Sequence, residues 1–445
     1  MPELPVVVVG AGPIGLAAAA ELVERGLEPV VLERAAQPGA AVAQWGHVRL
    51  FSRWQELVDP AARRLLEATG WRHPDQEGYP TGAEWIEQYL RPLAVALADR
   101  IRYDADVVGV ARRGRDLVVN AGRDEEPLAV HVRTSSGVEE RILARAVIDA
   151  SGTWGSPNPL GADGVPAQGE VAAADRITYR MPDFAEPGTR RRYADRHVVV
   201  VGSGHSAMTA LVGLEQVATE HQDTRVTWLL RRGRIGDAFG GGSADQLPAR
   251  GALGQRARSA VEAGRVTVAT GFRVDSVEWD GADGLVLVSQ DGERIVAVDE
   301  VVVLTGFRPD LSWLSEVRLD LDPALEAPAQ LAPLIDPNVH SCGTVPPHGV
   351  GELAHPEPGL FLAGMKSYGR APTFLALTGY EQVRSIAAAL AGDRVAAEQV
   401  QLVLPETGVC SGQGLADASD GEPSGGCCGP PAVPEAVEFS TSPAG

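Results

Sequence analysis

Two glycine turns, one acid, two adjacent arginines, a lone lysine and four late cysteines are the residues of this 445-residue chain best suited to chemistry. Gly10, Gly12 and Gly15 follow the apolar run Val6–Val9 and open an Ala- and Leu-rich stretch. A GxGxxG turn in that strand-to-helix context serves phosphate binding. The first glycine allows the tight turn, the second lets backbone N–H groups approach a pyrophosphate, and the third lets helix and strand pack. The phosphates would then lie at the helix N-terminus, where orphan N–H groups favour negative charge. Glu33 ends the next apolar run, Pro29–Leu32, and can accept hydrogen bonds from ribose hydroxyls. An acid there suits an unphosphorylated ribose, as in FAD or NAD.

The pattern returns at Gly202-Ser203-Gly204-His205-Ser206-Ala207, with alanine in the third glycine position. Its second strand ends in Arg231-Arg232, with no acid at that point. Guanidinium forks match a 2′-phosphate, which favours NADPH over NADH. Such charge-assisted bonds contribute roughly 1.5–3 kcal/mol each, or about 10- to 100-fold in affinity. The N-terminal place of the first turn, the second turn later and an apolar strand near 360 together point to FAD in the first site. His205 lies in the phosphate turn and is read as a positioning residue.

The basic residues number 39, of which Lys366 is the sole lysine. It follows LFLAG, where an ammonium beside a flavin could stabilise negative charge on the reduced ring. The bland reading is a leftover lysine in an arginine-rich chain. No cysteine precedes Cys342. The paired cysteines that disulfide reductases place beside a flavin are therefore missing. Cys410, Cys427 and Cys428 lie in a Gly-, Pro- and Ser-rich stretch. They could be inert thiols, soft-metal ligands for ions such as As(III) or Hg(II), or a redox relay. The spacings of His340, His348 and His355 around Cys342 match no standard zinc pattern.

These residues need elements to hold them. Each glycine turn sits in a strand–turn–helix–strand unit, each unit passes through a β-rich stretch (107–143 and 272–298), and each closes on an apolar strand, RAVIDASGT and EVVVLTGFRPD. The reading is an α/β fold of two Rossmann-like dinucleotide-binding domains. The boundaries expected are 1–158 and 306–392 for the two parts of the FAD domain, 159–305 for the NADPH domain inserted in it, and 393–445 for a disordered acidic tail. The first half is longer, mainly through residues 40–100, which could cover a larger ligand or be extra scaffold.

Charge and hydropathy exclude other classes. The net charge of −20 argues against a nucleic-acid binder and against anionic membranes. The tail holds one arginine against eight acids, so part of that charge belongs to it. No apolar run approaches the roughly 18 residues of a membrane span. With no basic leader before the first strand, a cytoplasmic location is expected.

The motifs GAGPIG with Glu33, DASGTW, GSGHSA with Arg231, TGFRPD and LFLAG resemble those of flavoproteins with two dinucleotide-binding domains, near the flavin-containing and Baeyer–Villiger monooxygenases. The likeness covers about residues 5–392. WGHVRLFS, MKSYGRAPTF and ETGVCS…GCC further resemble flavoproteins of bacterial arsenic-resistance gene clusters. The resemblance implies FAD and NADPH as cofactors, hydride transfer from NADPH to FAD, and O2 as the next acceptor with a small-molecule substrate. The nucleotide contacts it marks are Gly10, Gly12, Pro13, Gly15, Glu33, Arg34, Trp45, Val107, Gly152, Gly202, Gly204, His205, Ser206, Arg231, Arg232, Gly306, Gly364 and Met365. Met365 stands where relatives carry an aspartate that meets the ribityl chain. The linker also departs from the monooxygenase fingerprint FxGxxxHxxx[WYF]. It has no histidine, and only Tyr179 or Phe184 as an aromatic end. The alternatives are an NADPH-driven reductase of a small acceptor, an arsenical among them, and a nucleotide-holding sensor without turnover.

Overall fold

The computed structural model describes residues 4–240, 248–281, 284–339, 348–372 and 374–402. Of the expected tail 393–445, the part from 403 onward, with Cys410, Cys427 and Cys428, lies outside the described residues, as do His340 and Cys342. The start of that tail is ordered, against expectation: Arg394–Glu398 is a helix capped by Asp393 and bonded to Arg384 and Ser385.

The strands, in chain order, are β1 (Val6–Val9), β2 (Pro29–Leu32), β3 (Ile101–Arg102), β4 (Asp106–Arg112), β5 (Leu128–Arg133), β6 (Glu139–Ala144), β7 (Ala146–Asp149), β8 (Ile177–Thr178), β9 (His197–Val201), β10 (Arg225–Leu230), β11 (Thr267–Thr270), β12 (Val274–Trp279), β13 (Leu285–Ser289), β14 (Arg294–Val298), β15 (Glu300–Val303) and β16 (Leu360–Leu362). Two five-stranded sheets form, ordered β16-β7-β1-β2-β3 and β11-β10-β9-β15-β8. Every pairing in both is parallel. The two orders are equivalent: the strand before each glycine turn is central, the next strands run outward on one side, and the closing strand lies on the other. Each closing strand is preceded by a three-stranded antiparallel sheet, β4-β5-β6 and β12-β13-β14. The second unit is thus inserted in the first, whose sheet is completed only by β16.

Burial explains the apolar runs. Val6–Val9 and His197–Val201 are buried along their whole length, as central parallel strands must be. The helix Pro13–Glu24 packs its alanines between the first sheet and the helix Ala376–Leu390. The approach is close enough that a Cβ on Gly379 would lie 2.5 Å from Ile14 Cδ1.

The second half of residues 40–100 is broken into short helical turns. The stretch runs as an α-turn Gly82–Trp85, a π-helical turn Ile86–Leu90 and an α-helix Arg91–Ala96. Pro92 has no N–H to continue the i→i−4 ladder, and the wider turn before it absorbs the break. Trp54, Leu57, Leu66, Trp85 and Tyr89 anchor this segment in the first unit's core. Val48 and Phe51 reach instead to the core of the second unit.

The two closing turns are laced together. Asn158 N–H donates to Gly306 O at 2.9 Å, Arg308 N–H donates to Ser156 O at 2.9 Å, and the Asn158 amide donates to Thr305 O at 2.9 Å. DASGTW and TGFRPD, about 150 residues apart, therefore meet at the junction of the two units.

Candidate nucleotide sites

The first cradle has the geometry its glycines predict. Gly10 takes φ +100°, in the left-handed region, and a Cβ there would press on Ala150 O at 3.0 Å. A Cβ on Gly15 would stand 1.9 Å from Gly10 O, so no side chain fits between helix and turn. A Cβ on Gly12 would meet nothing within 4 Å. The space in front of Gly12 is open, and the helix that begins at Pro13 has no side-chain cap. Orphan N–H groups thus face open space, which fits a bound diphosphate. Pro13 at the first helical position sacrifices no needed donor.

Glu33 is held in place by two backbone donors. Its Oε2 accepts from Ala11 N–H at 2.7 Å and its Oε1 from Ala35 N–H at 2.8 Å. A carboxylate has about four acceptor positions, so capacity remains for ribose hydroxyls. Gly152, at φ +70°, also faces open space. Arg34 is exposed, with its Nη2 3.6 Å from a Cβ built on Gly155. Trp45 lies against Gly82, where a Cβ would meet the indole at 2.9 Å. Val107 is a core residue of β4, paired with Val132. Gly364, at φ +71°, sits against Ile14, and its N–H donates to Gln382 Oε1 at 2.8 Å. Met365 beside it is half-buried.

The second cradle repeats the design. Gly202 takes φ +130°, and a Cβ there would lie 2.4 Å from Leu304 O. Gly204 faces open space, and the helix His205–Glu220 also starts without a side-chain cap. Ala207 is fully buried, whereas Ser206 is exposed. The His205 ring meets Phe51 edge-on at 5.5 Å, so the 40–100 segment borders this cradle. Arg231 is exposed and donates to Ala162 O at 3.2 Å; Arg232 is half-buried beside it. Gly306 takes φ +93° in the closing turn.

Lys366 is buried and paired. Its Nζ lies 2.7 Å from Asp149 Oδ2, donates to Ser151 Oγ at 3.0 Å, and stands 4.7 Å over the Trp313 ring. Asp149 Oδ1 accepts from Ser151 N–H and Oγ–H. The lysine therefore joins the turn after β16 to the turn after β7, next to the first cradle. Sequence reading marked Lys366 but missed this partner, although DASG already named Asp149. It also missed Gln382, which bonds Gly364, Ser367 and His348 from one buried amide. Nothing in the local sequence of its helix sets that glutamine apart.

In the linker, Tyr179 donates to the buried Glu170 carboxylate, which also accepts from Leu160, Gly161 and Ala167 N–H. Burial pushes the Tyr179 hydroxyl above its ordinary range, and the Glu170 carboxylate adds to that. Phe184 packs on Gly213 of the second phosphate helix. Both aromatics are committed to structure. Among the described residues, no group of three or more His, Cys, Asp or Glu is placed to hold a metal ion. No described helix is long and apolar enough to cross a membrane.

Two nucleotide cradles on paired parallel sheets define a pyridine-nucleotide flavoprotein, and the comparisons agree. The chain belongs to the pyridine nucleotide-disulphide oxidoreductase family, whose model matches residues 7–339. It is 26% identical over 320 residues to a ferredoxin–NADP reductase of Ignicoccus hospitalis, covering 71% of this chain and 81% of the relative. It is 30% identical over 209 residues to the indole-3-pyruvate monooxygenase YUCCA1 of Oryza sativa, covering 47% of this chain and 44% of the relative. In fold it is similar to a bacillithiol disulfide reductase from Bacillus cereus, with TM-score 0.64, 21% identity, and 88% and 99% of the two chains covered. The chain is an oxidoreductase of the FAD-binding, NAD(P)H-dependent kind. Gly10, Gly12 and Glu33 are the residues suited to hold FAD. Gly202, Gly204 and the arginines after β10 are those suited to hold NAD(P)H.

Proposed function

We propose that this enzyme is an NADPH-driven, FAD-dependent monooxygenase acting on a small molecule. One observation carries the reading: a chain of the disulphide-oxidoreductase family has both nucleotide cradles but no cysteine in its first 341 residues. Those 341 residues, which hold both cradles, therefore supply no dithiol to take its electrons. When bound, FAD takes two electrons from NADPH and can hand them to O2. Two further electrons come from the substrate; one oxygen atom enters the substrate and the other leaves as water.

The chain's own residues supply placement. Glu33 orients the adenosine ribose, and the uncapped helix starts bind phosphates. Arg231 and Arg232 favour the 2′-phosphate. Val48 and Phe51 bring the 40–100 segment across to the second unit, which screens the space between the cradles from water. Lys366, locked by Asp149 and Ser151, sets an oriented ammonium–carboxylate pair beside the first cradle.

The test compares NADPH oxidation by purified holoenzyme in aerobic and anaerobic buffer while O2 uptake is recorded. The reading requires O2-dependent NADPH loss and an oxygenated product. The ferredoxin–NADP reductase likeness supports a second reading, reduction of an acceptor without oxygenation; NADPH loss that continues without O2 once an acceptor is added would favour it. Arsenite added to the same assay tests the arsenical substrate or acceptor suggested by the short segments WGHVRLFS and MKSYGRAPTF.

A further inference from the structure

Two guanidinium groups flank adjacent residues of one closing turn, Trp154 and Gly155, at the junction of the nucleotide units. Arg34 follows β2 of the first sheet, and its Nη2 lies against Gly155. Arg180 follows β8 of the second sheet, and its guanidinium stacks over the Trp154 ring at 4.7 Å. Trp154 in turn rests on Phe307 at 4.7 Å, one aromatic from each closing turn. Arg180 Nη1 and Trp154 Nε1 are both buried and have no hydrogen-bond partner. Buried donors left open cost free energy, and such groups in a folded protein are normally satisfied. Asp310 feels the charge of Arg34, but its carboxylate accepts from Ser312 N–H at 3.0 Å and Oγ–H at 2.6 Å. Among the described residues no ion pair forms to either arginine. Burial and the nearby Arg34 charge hold Arg180 below its ordinary value, so the site favours a negative guest.

We propose that Arg34 and Arg180, with the Trp154 indole N–H, form a clamp for a phosphate group, one jaw from each nucleotide unit. Planar guanidinium forks match phosphate oxygens in pairs, and two of them balance the charge of one phosphate dianion or one diphosphate. Trp154 fixes the plane of Arg180, so little conformational freedom is lost when the anion arrives. The clamp is independent of which acceptor finally takes the electrons. Its consequence is that the phosphate-bearing ligand ties the two units together through contacts that neither unit makes alone.

Three sources can supply that phosphate: FAD, NADPH or a free oxyanion. Full-length Arg180→Ala and Arg34→Ala holoenzymes separate them. FAD release is followed by the rise in flavin fluorescence on dilution. NADP⁺ affinity is read from the perturbation of the flavin spectrum. Inorganic phosphate is scored by the rise in Tm it produces. Loss of a charge-assisted pair predicts about a 10- to 100-fold weakening in one of these arms, the same arm for both variants. Weakened FAD retention assigns the clamp to the flavin dinucleotide, weakened NADP⁺ binding to the nicotinamide dinucleotide, and a lost phosphate response to a free oxyanion. Arg180→Lys, which keeps the charge but not the fork, should recover only part of the loss. Raising KCl should shrink the difference between wild type and variants. No change in any arm overturns the proposal. So does equal weakening in all three together with a fall in Tm, because that pattern marks Arg180 as a packing residue for Trp154.

Discussion

Asp149 and Lys366 form an ion pair with both side chains buried. Removing one partner of such a pair leaves an uncompensated charge and costs about 3–5 kcal/mol. Lys366→Met should therefore lower unfolding free energy by that amount in urea melts. Lys366→Arg, which keeps the charge, should remain folded and instead slow flavin reduction or reoxidation in stopped flow; unchanged rates would reduce Lys366 to a structural role. At the second cradle, Arg231→Ala and Arg232→Ala should raise the KM for NADPH by about 10- to 100-fold and leave that for NADH nearly unchanged. Equal changes for both would remove the 2′-phosphate assignment. The lysine was visible in the sequence because its type is unique; its partner was not, because Asp149 lies 217 positions earlier and only the β7–β16 pairing brings them together.

At the scale of single elements, the glycine turns separate folding from binding. A Cβ on Gly15 meets Gly10 O at 1.9 Å, whereas one on Gly12 meets no protein atom. Gly15→Ala should therefore lower Tm as well as FAD content. Gly12→Ala should keep the Tm of the apoprotein, because its methyl meets no protein atom within 4 Å, and should weaken FAD retention if the diphosphate lies there as proposed. A Gly12→Ala protein that keeps its FAD would place the diphosphate elsewhere. These turns were legible from spacing alone because their geometry is local. The π-helical turn at Ile86–Leu90 was not, since helical periodicity reads straight through it and only Pro92 hints at the break.

Across the whole molecule, Glu357 ties distant segments to one point. Its carboxylate accepts from Arg112 Nε at 2.6 Å, Arg123 Nη2 at 2.7 Å and Arg318 N–H at 3.0 Å, with no exposure to solvent. Burial pushes this carboxyl up, but the Arg123 and Arg112 hydrogen bonds and the Arg318 N–H outweigh it and hold it below its ordinary value of 4.5. A lowered carboxylate contributes stability that is complete above the ordinary value and is lost as pH falls through the folded-state value. Acid unfolding should thus steepen below pH 4.5. In Glu357→Gln that pH-dependent part should vanish and neutral-pH stability should drop by about 3–5 kcal/mol. An unaltered acid limb would show that other groups govern it. The paired-unit architecture was readable from the repeat of strand, glycine turn and closing strand. The contacts that lock it were not, because Arg112 meets Glu357 across 245 positions and no local pattern encodes such a pairing.

In the proposed reaction, electrons pass from NADPH through FAD to O2 without a thiol. That route is tested most directly with a full-length variant in which Cys342, Cys410, Cys427 and Cys428 are all changed to serine. NADPH consumption and O2 uptake would be measured together with substrate present. Wild-type rates are expected, with one O2 taken up per NADPH oxidised. Loss of NADPH consumption in the cysteine-free protein, or consumption that proceeds equally without O2, would contradict that route.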